Sequence, residues 1–336
     1  MMVQAAGSAR TLFPGVMACA VVAAAATFLG QHYGAPVLLF ALLLGTGMNF
    51  LSVDGPCAPG VEFCARSLLR VGVALLGLRI TLDQVAALGW GPVVLVVVSV
   101  AITIAVSVVA ARLLDFQGLF GLLTGAATAI CGASAALALS AALPAHPLKE
   151  RATLFTVIGV SALSTFAMVT YPMIVHALGM GATQAGVFLG GTIHDVAQVV
   201  GAGYSLSPEI GDAATLVKLL RVAMRLPVIV LASLITRMRT AAQGADSTTR
   251  RPPLLPGFAV AFALLVAINS TGWVPSVVQS LGIDASRWFL VIAIAGIGMK
   301  TQLKELAAVG IKPLVLMIGE TVFLAALVVL LMRWLA

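Results

Sequence analysis

The stretch Thr128–Ala135 has the sequence TAICGASA and lies in the middle of an apolar run at residues 118–142. Small residues dominate it, and small residues let membrane helices approach one another closely. The stretch also fits a helix that unwinds at Cys131 and Gly132 and then restarts, exposing the amides of residues 132–134. The N-terminus of such a second half-helix is positive and binds anions.

The sequence as a whole is too apolar for a water-soluble globule. Of its 336 residues, 61% are hydrophobic and 9% are charged, whereas roughly a quarter of the residues in an ordinary soluble domain are charged. Eleven apolar runs of helix length lie between residues 12 and 335, and one bilayer crossing takes ~20 residues. The sequence therefore predicts an all-α polytopic protein of the bacterial inner membrane, with about eleven transmembrane helices in the lipid bilayer.

The net charge of +7 comes from 19 Lys and Arg against 12 Asp and Glu. In a soluble protein this excess would suggest nucleic acid binding. No basic cluster is interleaved with aromatic residues here, so no nucleic acid partner is expected. Cytoplasmic segments of membrane proteins carry an excess of Lys and Arg, and the arginine-rich segment 237–255 is therefore predicted to be a cytoplasmic linker.

Three short matches recur in the same order along the chain. They pair Leu44–Thr46 with Leu189–Thr192, Leu68–Val71 with Leu219–Val222, and Ala129–Gly132 with Ala295–Gly298. If helices 2–6 form one unit and helices 7–11 its copy, equivalent helices lie five crossings apart, and an odd number reverses the direction. Inverted repeats with discontinuous helices at matching positions are typical of secondary transporters, which bind substrate where the broken helices meet.

The predicted organisation has three parts. An extra transmembrane helix occupies residues 1–35, and the first five-helix repeat follows at residues 36–177. The second repeat covers residues 178–236 and 256–336, with the linker between its two pieces. The discontinuous helices of the two repeats are expected to cross, and the second break is predicted at Ala295–Gly298.

His194, Asp195 and Gln198 form a polar group inside the seventh predicted span. His194 and Gln198 are four residues apart and share one helix face. Ionisable groups are expensive to bury in a membrane and are functional by default. The structural alternative is a His–Asp hydrogen bond or a cap at a helix end. Because an imidazole titrates near neutral pH, His194 and Asp195 are predicted to carry a coupling proton.

Bases outnumber acids inside the predicted spans. The bases are Arg70, Lys218, Arg221 and Arg225, and the acids are Asp195 and Glu320. Lys218 and Arg225 could instead snorkel to the lipid headgroups, and Glu320 could simply pair with a base. A surplus of fixed positive charge in a low-dielectric site favours an anionic substrate.

The predicted substrate site lies where the two broken helices meet. Its residues are Cys131, Gly132, Ala133, Ser134, His194, Gln198, Arg221, Lys218, Arg70, Gly296, Gly298 and Thr301. No cofactor or metal is expected, because the four histidines are dispersed, the four cysteines are too scattered for a zinc site, and no ATP-binding P-loop occurs. A membrane-embedded enzyme would use Cys131 or Ser134 as nucleophile and His194 as base. That pattern is weak, and no enzyme is predicted.

These motifs resemble those of the YeiH-type sulfate exporter family, also known as UPF0324. The resemblance extends over about residues 12–335 and rests on Leu68–Gly77, Ala129–Ala135, Ile193–Val199 and Lys218–Val222. The family pattern usually has Glu where this chain has Asp195.

The resemblance implies a fold related to cation/proton antiporters and bile-acid transporters. In that fold a panel domain and a core domain with two crossed broken helices move against each other like an elevator. The resemblance also implies export of sulfate or a similar small anion. The alternatives of the same fold are a sodium/proton antiporter and an organic-anion symporter, while a receptor or structural membrane protein would transport nothing. A homodimer is left open.

Overall fold

The computed structural model describes residues 2–33, 37–87, 89–142, 149–225, 227–232, 234, 257–301 and 311–335. The regular structure in these residues is helical, in agreement with the predicted all-α class. The chain forms two compact units. Unit 1 consists of Met1–Ala87, Val200–Asp212 and Pro256–Gln302, and unit 2 consists of Leu88–Val199, Ala213–Leu255 and Leu303–Ala336.

The helices follow one another with short connections. The first are α1 (Met2–Tyr33), α2 (Val37–Gly47), α3 (Phe50–Val53), α4 (Ala58–Phe63), a π-helical turn (Cys64–Leu68), α5 (Leu69–Leu75), a 3-10 turn (Leu76–Leu78) and α6 (Leu82–Ala87). The next are α7 (Gly91–Leu113), α8 (Gly118–Ala126), a second π-helical turn (Ala127–Cys131), α9 (Ala133–Ala142), α10 (Lys149–Ala177), α11 (Ala182–Thr192), α12 (Val196–Leu206) and α13 (Pro208–Ala223). The last are α14 (Gly257–Ser270), α15 (Ser276–Lys300) and α16 (Ile311–Leu335).

Five of the described helices are long and apolar enough to cross a bilayer. They lie at Arg10–Tyr33, Gly91–Leu113, Arg151–Ala177, Ser276–Lys300 and Ile311–Trp334. Helix α7 is strongly apolar, with a mean hydropathy of 3.0, yet only 33% of its span is buried inside the protein. Most of its apolar side chains therefore lie at least partly on the surface. An apolar surface of this size is favourable in contact with lipid and unfavourable in contact with water. The predicted count of eleven crossings goes beyond these five helices and stays a prediction.

Two further helices of the described chain are interrupted. α8 continues through the second π-helical turn and ends at Gly132, which has φ 64° and ψ −136°, and α9 begins at the next residue. This confirms the predicted interruption after Cys131. The other interruption follows Thr192, where Ile193 is extended with ψ 137° and α12 begins at Val196. Each pair of half-helices together reaches the ~20 residues that a crossing needs.

The predicted second break at Ala295–Gly298 is wrong, because α15 is continuous through this stretch. The glycines there allow close packing instead. A Cβ on Gly298 would lie 2.3 Å from the carbonyl oxygen of Leu42, and one on Gly45 would lie 2.3 Å from that of Ala295. Helices α2 and α15 therefore cross with glycine on both sides of the contact, as small residues allow in membranes.

The inverted repeats stay a prediction. Each of the three sequence matches has one member in unit 1 and the other in unit 2. The predicted linker at 237–255 lies outside the described residues.

Replacement of Gly45 by valine is expected to destabilise unit 1, because the new side chain would overlap the main chain of α15. Overpacking costs typically about 1–3 kcal/mol, which lowers the apparent melting temperature by several degrees. Thermal melting of the purified protein in detergent measures this. The matched control is Gly47→Val in the same helix, where nothing lies within 4 Å of an added Cβ. Equal melting of the two variants would contradict the close crossing.

Candidate functional site

The two interruptions lie side by side in unit 2. A Cβ built on Gly132 would lie 3.6 Å from the carbonyl oxygen of His194 and 3.8 Å from its Cβ. The turn that follows α8 therefore contacts the turn that follows α11. The positive φ of Gly132, 64°, is one that residues with a side chain rarely adopt. Cys131 beside it is buried.

Lys218 on α13 is fully buried and reaches both breaks. Its ammonium donates hydrogen bonds to the carbonyl oxygens of Ile130 (2.9 Å), Ile193 (2.9 Å) and His194 (2.5 Å). An ammonium has three N–H donors, so all of them are used. Lys218 therefore lies in the interior and does not snorkel to the headgroups.

Arg221, nearly one turn further along α13, is also fully buried. Its Nε donates to the carbonyl of Ala129 (2.8 Å) and Nη2 to that of Thr128 (2.7 Å), while Nη1 donates to Gly190 (3.1 Å) and Ile193 (3.0 Å). The last carbonyls of a helix have no partner within it. Lys218 and Arg221 therefore stabilise the negative C-terminal ends of both first half-helices.

The N-termini of α9 and α12 lie on the other side of the breaks, in a more accessible part of unit 2. Ser134 is exposed, and Ala133, Asp195 and Val196 are half-buried. Asp195 caps α12, because its Oδ1 accepts a hydrogen bond of 2.8 Å from the amide of Ala197. This is the helix cap that the sequence left open as an alternative. The first turn of α9 contains no acidic residue, so its positive end has no carboxylate of its own.

His194 is fully buried, and both of its ring nitrogens have partners. Nδ1 lies 3.0 Å from the carbonyl oxygen of Thr128, which can only accept, so Nδ1 carries a hydrogen. Nε2 lies 3.0 Å from the hydroxyl of Thr321 on α16. Gln198 accepts a 3.0 Å hydrogen bond from Ser164 on α10. The second break is thus attached to the first break, to α16 and to α10.

Glu320 on α16 is a buried acid that the predicted site does not include. Its carboxyl group contacts the hydroxyls of Ser107, Thr124 (2.7 Å) and Thr128 (3.1 Å). No Lys or Arg of the described residues forms an ion pair with it, so the alternative of a simple pair with a base is not seen among them. The sequence signal was an acid in the middle of an apolar span, which marks function by default.

Four residues of the predicted site belong to unit 1. Arg70 on α5 is exposed, Gly296 and Gly298 lie within α15, and Thr301 follows its last turn. Their part in substrate binding stays a prediction. The remaining predicted residues lie in unit 2 around the two breaks. These are Cys131, Gly132, Ala133, Ser134, His194, Asp195, Gln198, Lys218 and Arg221.

The apolar spans and the interrupted helices define a multi-pass membrane protein with transporter-like features. The family model described as Conserved hypothetical protein 698 matches residues 14–317. With this match and the relatives below, the chain belongs to the UPF0324 family of bacterial membrane proteins.

Relatives in this family cover nearly the whole chain. UPF0324 membrane protein TauZ of Paracoccus denitrificans is 52% identical over 97% of this chain and 96% of the relative. TauZ of Paracoccus pantotrophus is 51% identical over the same shares. A UPF0324 membrane protein of Caulobacter vibrioides is 40% identical over 97% of this chain and 69% of the relative. No solved structure matches the chain.

Replacement of Lys218 by methionine is expected to destabilise unit 2 strongly, because it leaves three carbonyls at the breaks without their shared donor. Each buried polar group left unsatisfied costs about 1–3 kcal/mol. The measurement is again thermal melting in detergent, together with the yield of monodisperse protein. Lys312→Met is the matched control, since Lys312 is exposed on α16. Unchanged melting of the Lys218 variant would show that these hydrogen bonds do not hold the breaks.

Proposed function

We propose that the protein is a secondary transporter that exports a small anion, sulfate or a related sulfur-containing anion, by alternating access. The observation that carries the proposal is the charge at the two breaks. Two buried cations, Lys218 and Arg221, stand against one carboxylate, that of Asp195, which leaves an excess of at least one positive charge. Uncompensated charge is costly inside a membrane. A bound anion would remove that cost.

The N-terminus of α9 is the place where the anion would bind. The first amides of this helix point out of its positive end, and Ser134 there is exposed. The N–H groups of Lys218 are used on carbonyls. In this proposal Lys218 and Arg221 therefore supply positive potential from behind, and main-chain amides with the Ser134 hydroxyl supply the direct hydrogen bonds.

Sulfate and the outward direction come from the family resemblance. The physical support is that a tetrahedral oxyanion accepts several hydrogen bonds at once, which the cluster of amides at a helix N-terminus offers. The coupling proton assigned from the sequence to Asp195 and His194 stays a prediction. Asp195 is engaged as a helix cap, and His194 is engaged at both ring nitrogens.

The alternatives have less support. A sodium/proton antiporter needs acids at the crossing of the broken helices, and among the described residues there the acid is Asp195, whose carboxylate caps α12. In an enzyme, His194 would have to take a proton from Cys131 or Ser134. Its two ring nitrogens are already hydrogen-bonded to Thr128 and Thr321.

The test of the transport proposal is flux of radiolabelled sulfate into proteoliposomes that contain the purified protein. Counterflow is expected when the vesicles are loaded with unlabelled sulfate, and sulfite and thiosulfate are the first competitors to add. The proposal of a sulfur-containing substrate fails if none of these anions is exchanged and none competes. A panel of other small anions in the same vesicles then tests whether any anion is carried.

Replacement of Ser134 by aspartate is expected to weaken sulfate binding by about tenfold or more, because it places a negative charge at the free positive end of α9. The measurement is the KM for sulfate counterflow. Ser280→Asp is the matched control, since Ser280 is an exposed residue near the start of α15, and its KM is expected to equal that of the wild type. An unchanged KM in the Ser134 variant would contradict binding of the anion at the N-terminus of α9.

A further inference from the structure

Glu320 is enclosed by hydroxyl groups at membrane depth. It lies within the candidate span Ile311–Trp334 and is 4% exposed. Its partners come from three neighbouring segments: Ser107 on α7, Thr124 on α8 and Thr128 in the π-helical turn before the first break. These are hydroxyl donors without charge.

The ionisable groups around Glu320 lie on the helices packed against α16, on α16 itself or at the two breaks. The segments packed against α16 are α7, α8, α10, α11 and the second π-helical turn. Their described ionisable side chains are Arg112, Lys149, Arg151, Tyr171, His176 and Cys131, while Lys312 and Arg333 lie on α16 itself. Arg221 and His194 approach most directly through hydrogen bonds, because both donate to the carbonyl of Thr128.

The partners of Glu320 indicate how its charge is treated. The carboxyl group contacts three hydroxyls, and no Lys or Arg of the described residues forms an ion pair with it. An ionised carboxylate in such a buried place carries a desolvation cost that neutral hydroxyls offset only in part. A bound proton removes that cost, and a protonated carboxyl group can still exchange hydrogen bonds with these hydroxyls.

We infer that Glu320 binds a proton whose presence favours anion binding at the breaks. With Glu320 ionised, its negative charge offsets part of the positive charge of the buried bases Lys218, Arg221 and Arg225. With Glu320 protonated, that offset is absent. An anion therefore binds better to the protonated form, and the coupling is reciprocal. The inference rests on the proposed function and assigns its coupling proton to Glu320.

Thr128 links the two sites physically. Its hydroxyl donates to Glu320 (3.1 Å), and its carbonyl accepts from Arg221 (2.7 Å) and from His194 (3.0 Å). It belongs to the π-helical turn that precedes Gly132, and π-helical turns are frequent at functional sites. A metal cation at Glu320 would need about six oxygen ligands around it, whereas the hydroxyls here contact the carboxyl oxygens directly. A proton is the cation that fits.

The test is binding of radiolabelled sulfate to the purified full-length protein as a function of pH. In the wild type, affinity is expected to rise as the pH falls, by roughly 5–150-fold in total, and addition of sulfate is expected to take up protons from a weakly buffered solution. Glu320→Gln fixes the neutral form. It is expected to bind sulfate at every pH with the affinity of the wild type at low pH, and to take up no protons. Glu320→Asp restores a titratable group and is expected to restore the pH dependence.

Two further variants control for charge removal elsewhere. Glu209→Gln removes an exposed acid at the start of α13 and is expected to behave as the wild type. Asp195→Asn removes the acid that the sequence assigned to proton coupling. The inference is overturned if Glu320→Gln keeps the pH dependence of the wild type, or if Asp195→Asn alone abolishes it.

Infrared spectroscopy separates failure of this inference from failure of the proposed function. If the wild type binds no anion at any pH, the proposed function fails. The protonation of Glu320 can still be tested separately, by the infrared spectrum of the protein. A protonated carboxylic acid has a carbonyl stretching band that an ionised one lacks. That band is expected in the wild type and not in Glu320→Gln. Its persistence in the variant, or its absence from the wild type, would overturn the proton site.

Discussion

Hydrogen bonds from two buried cations to main-chain carbonyls are the interaction on which unit 2 depends. Irregular backbone is tolerated at membrane depth only where its polar groups find partners inside the protein. Lys218 and Arg221 provide those partners for both breaks at once. They are three residues apart on α13 and so lie on one face of it. A single helix therefore holds two interruptions that come from distant parts of the chain.

This arrangement explains why charge in unit 2 is unevenly divided. The cations face the C-terminal ends of the half-helices, Asp195 occupies one N-terminal end, and the N-terminus of α9 has no acid. Glu320 lies one hydroxyl contact away from the first break. Thr128 thus joins the proposed proton site to Arg221, one of the two cations that lie behind the proposed anion site.

The sequence predicts the class of this protein well and its site in part. Apolar composition determines the membrane fold, and the small residues around Gly132 correctly indicate an interruption. The second break was predicted at Ala295–Gly298 because glycine has two uses that look alike in a sequence, unwinding a helix and letting helices cross closely. The residue that shows the second use here is Gly45, which lets α2 pack closely against α15. Gly45 is far from Ala295–Gly298 in the sequence, so the contact cannot be recognised from the sequence. Glu320 stands out in the sequence as an acid inside an apolar span, but its partners are hydroxyls, which no charge pattern in the sequence brings together.

The choice of main-chain acceptors has a consequence for how this protein can evolve. The carbonyls that receive Lys218 and Arg221 belong to Thr128, Ala129, Ile130, Gly190, Ile193 and His194. An oxygen of the peptide group is present whatever side chain the residue carries. Substitutions at the apolar positions among them therefore leave the cation contacts in place so long as the backbone path is kept. Side chains around the breaks can therefore change in size and polarity while the hydrogen bonds that hold the breaks together are kept.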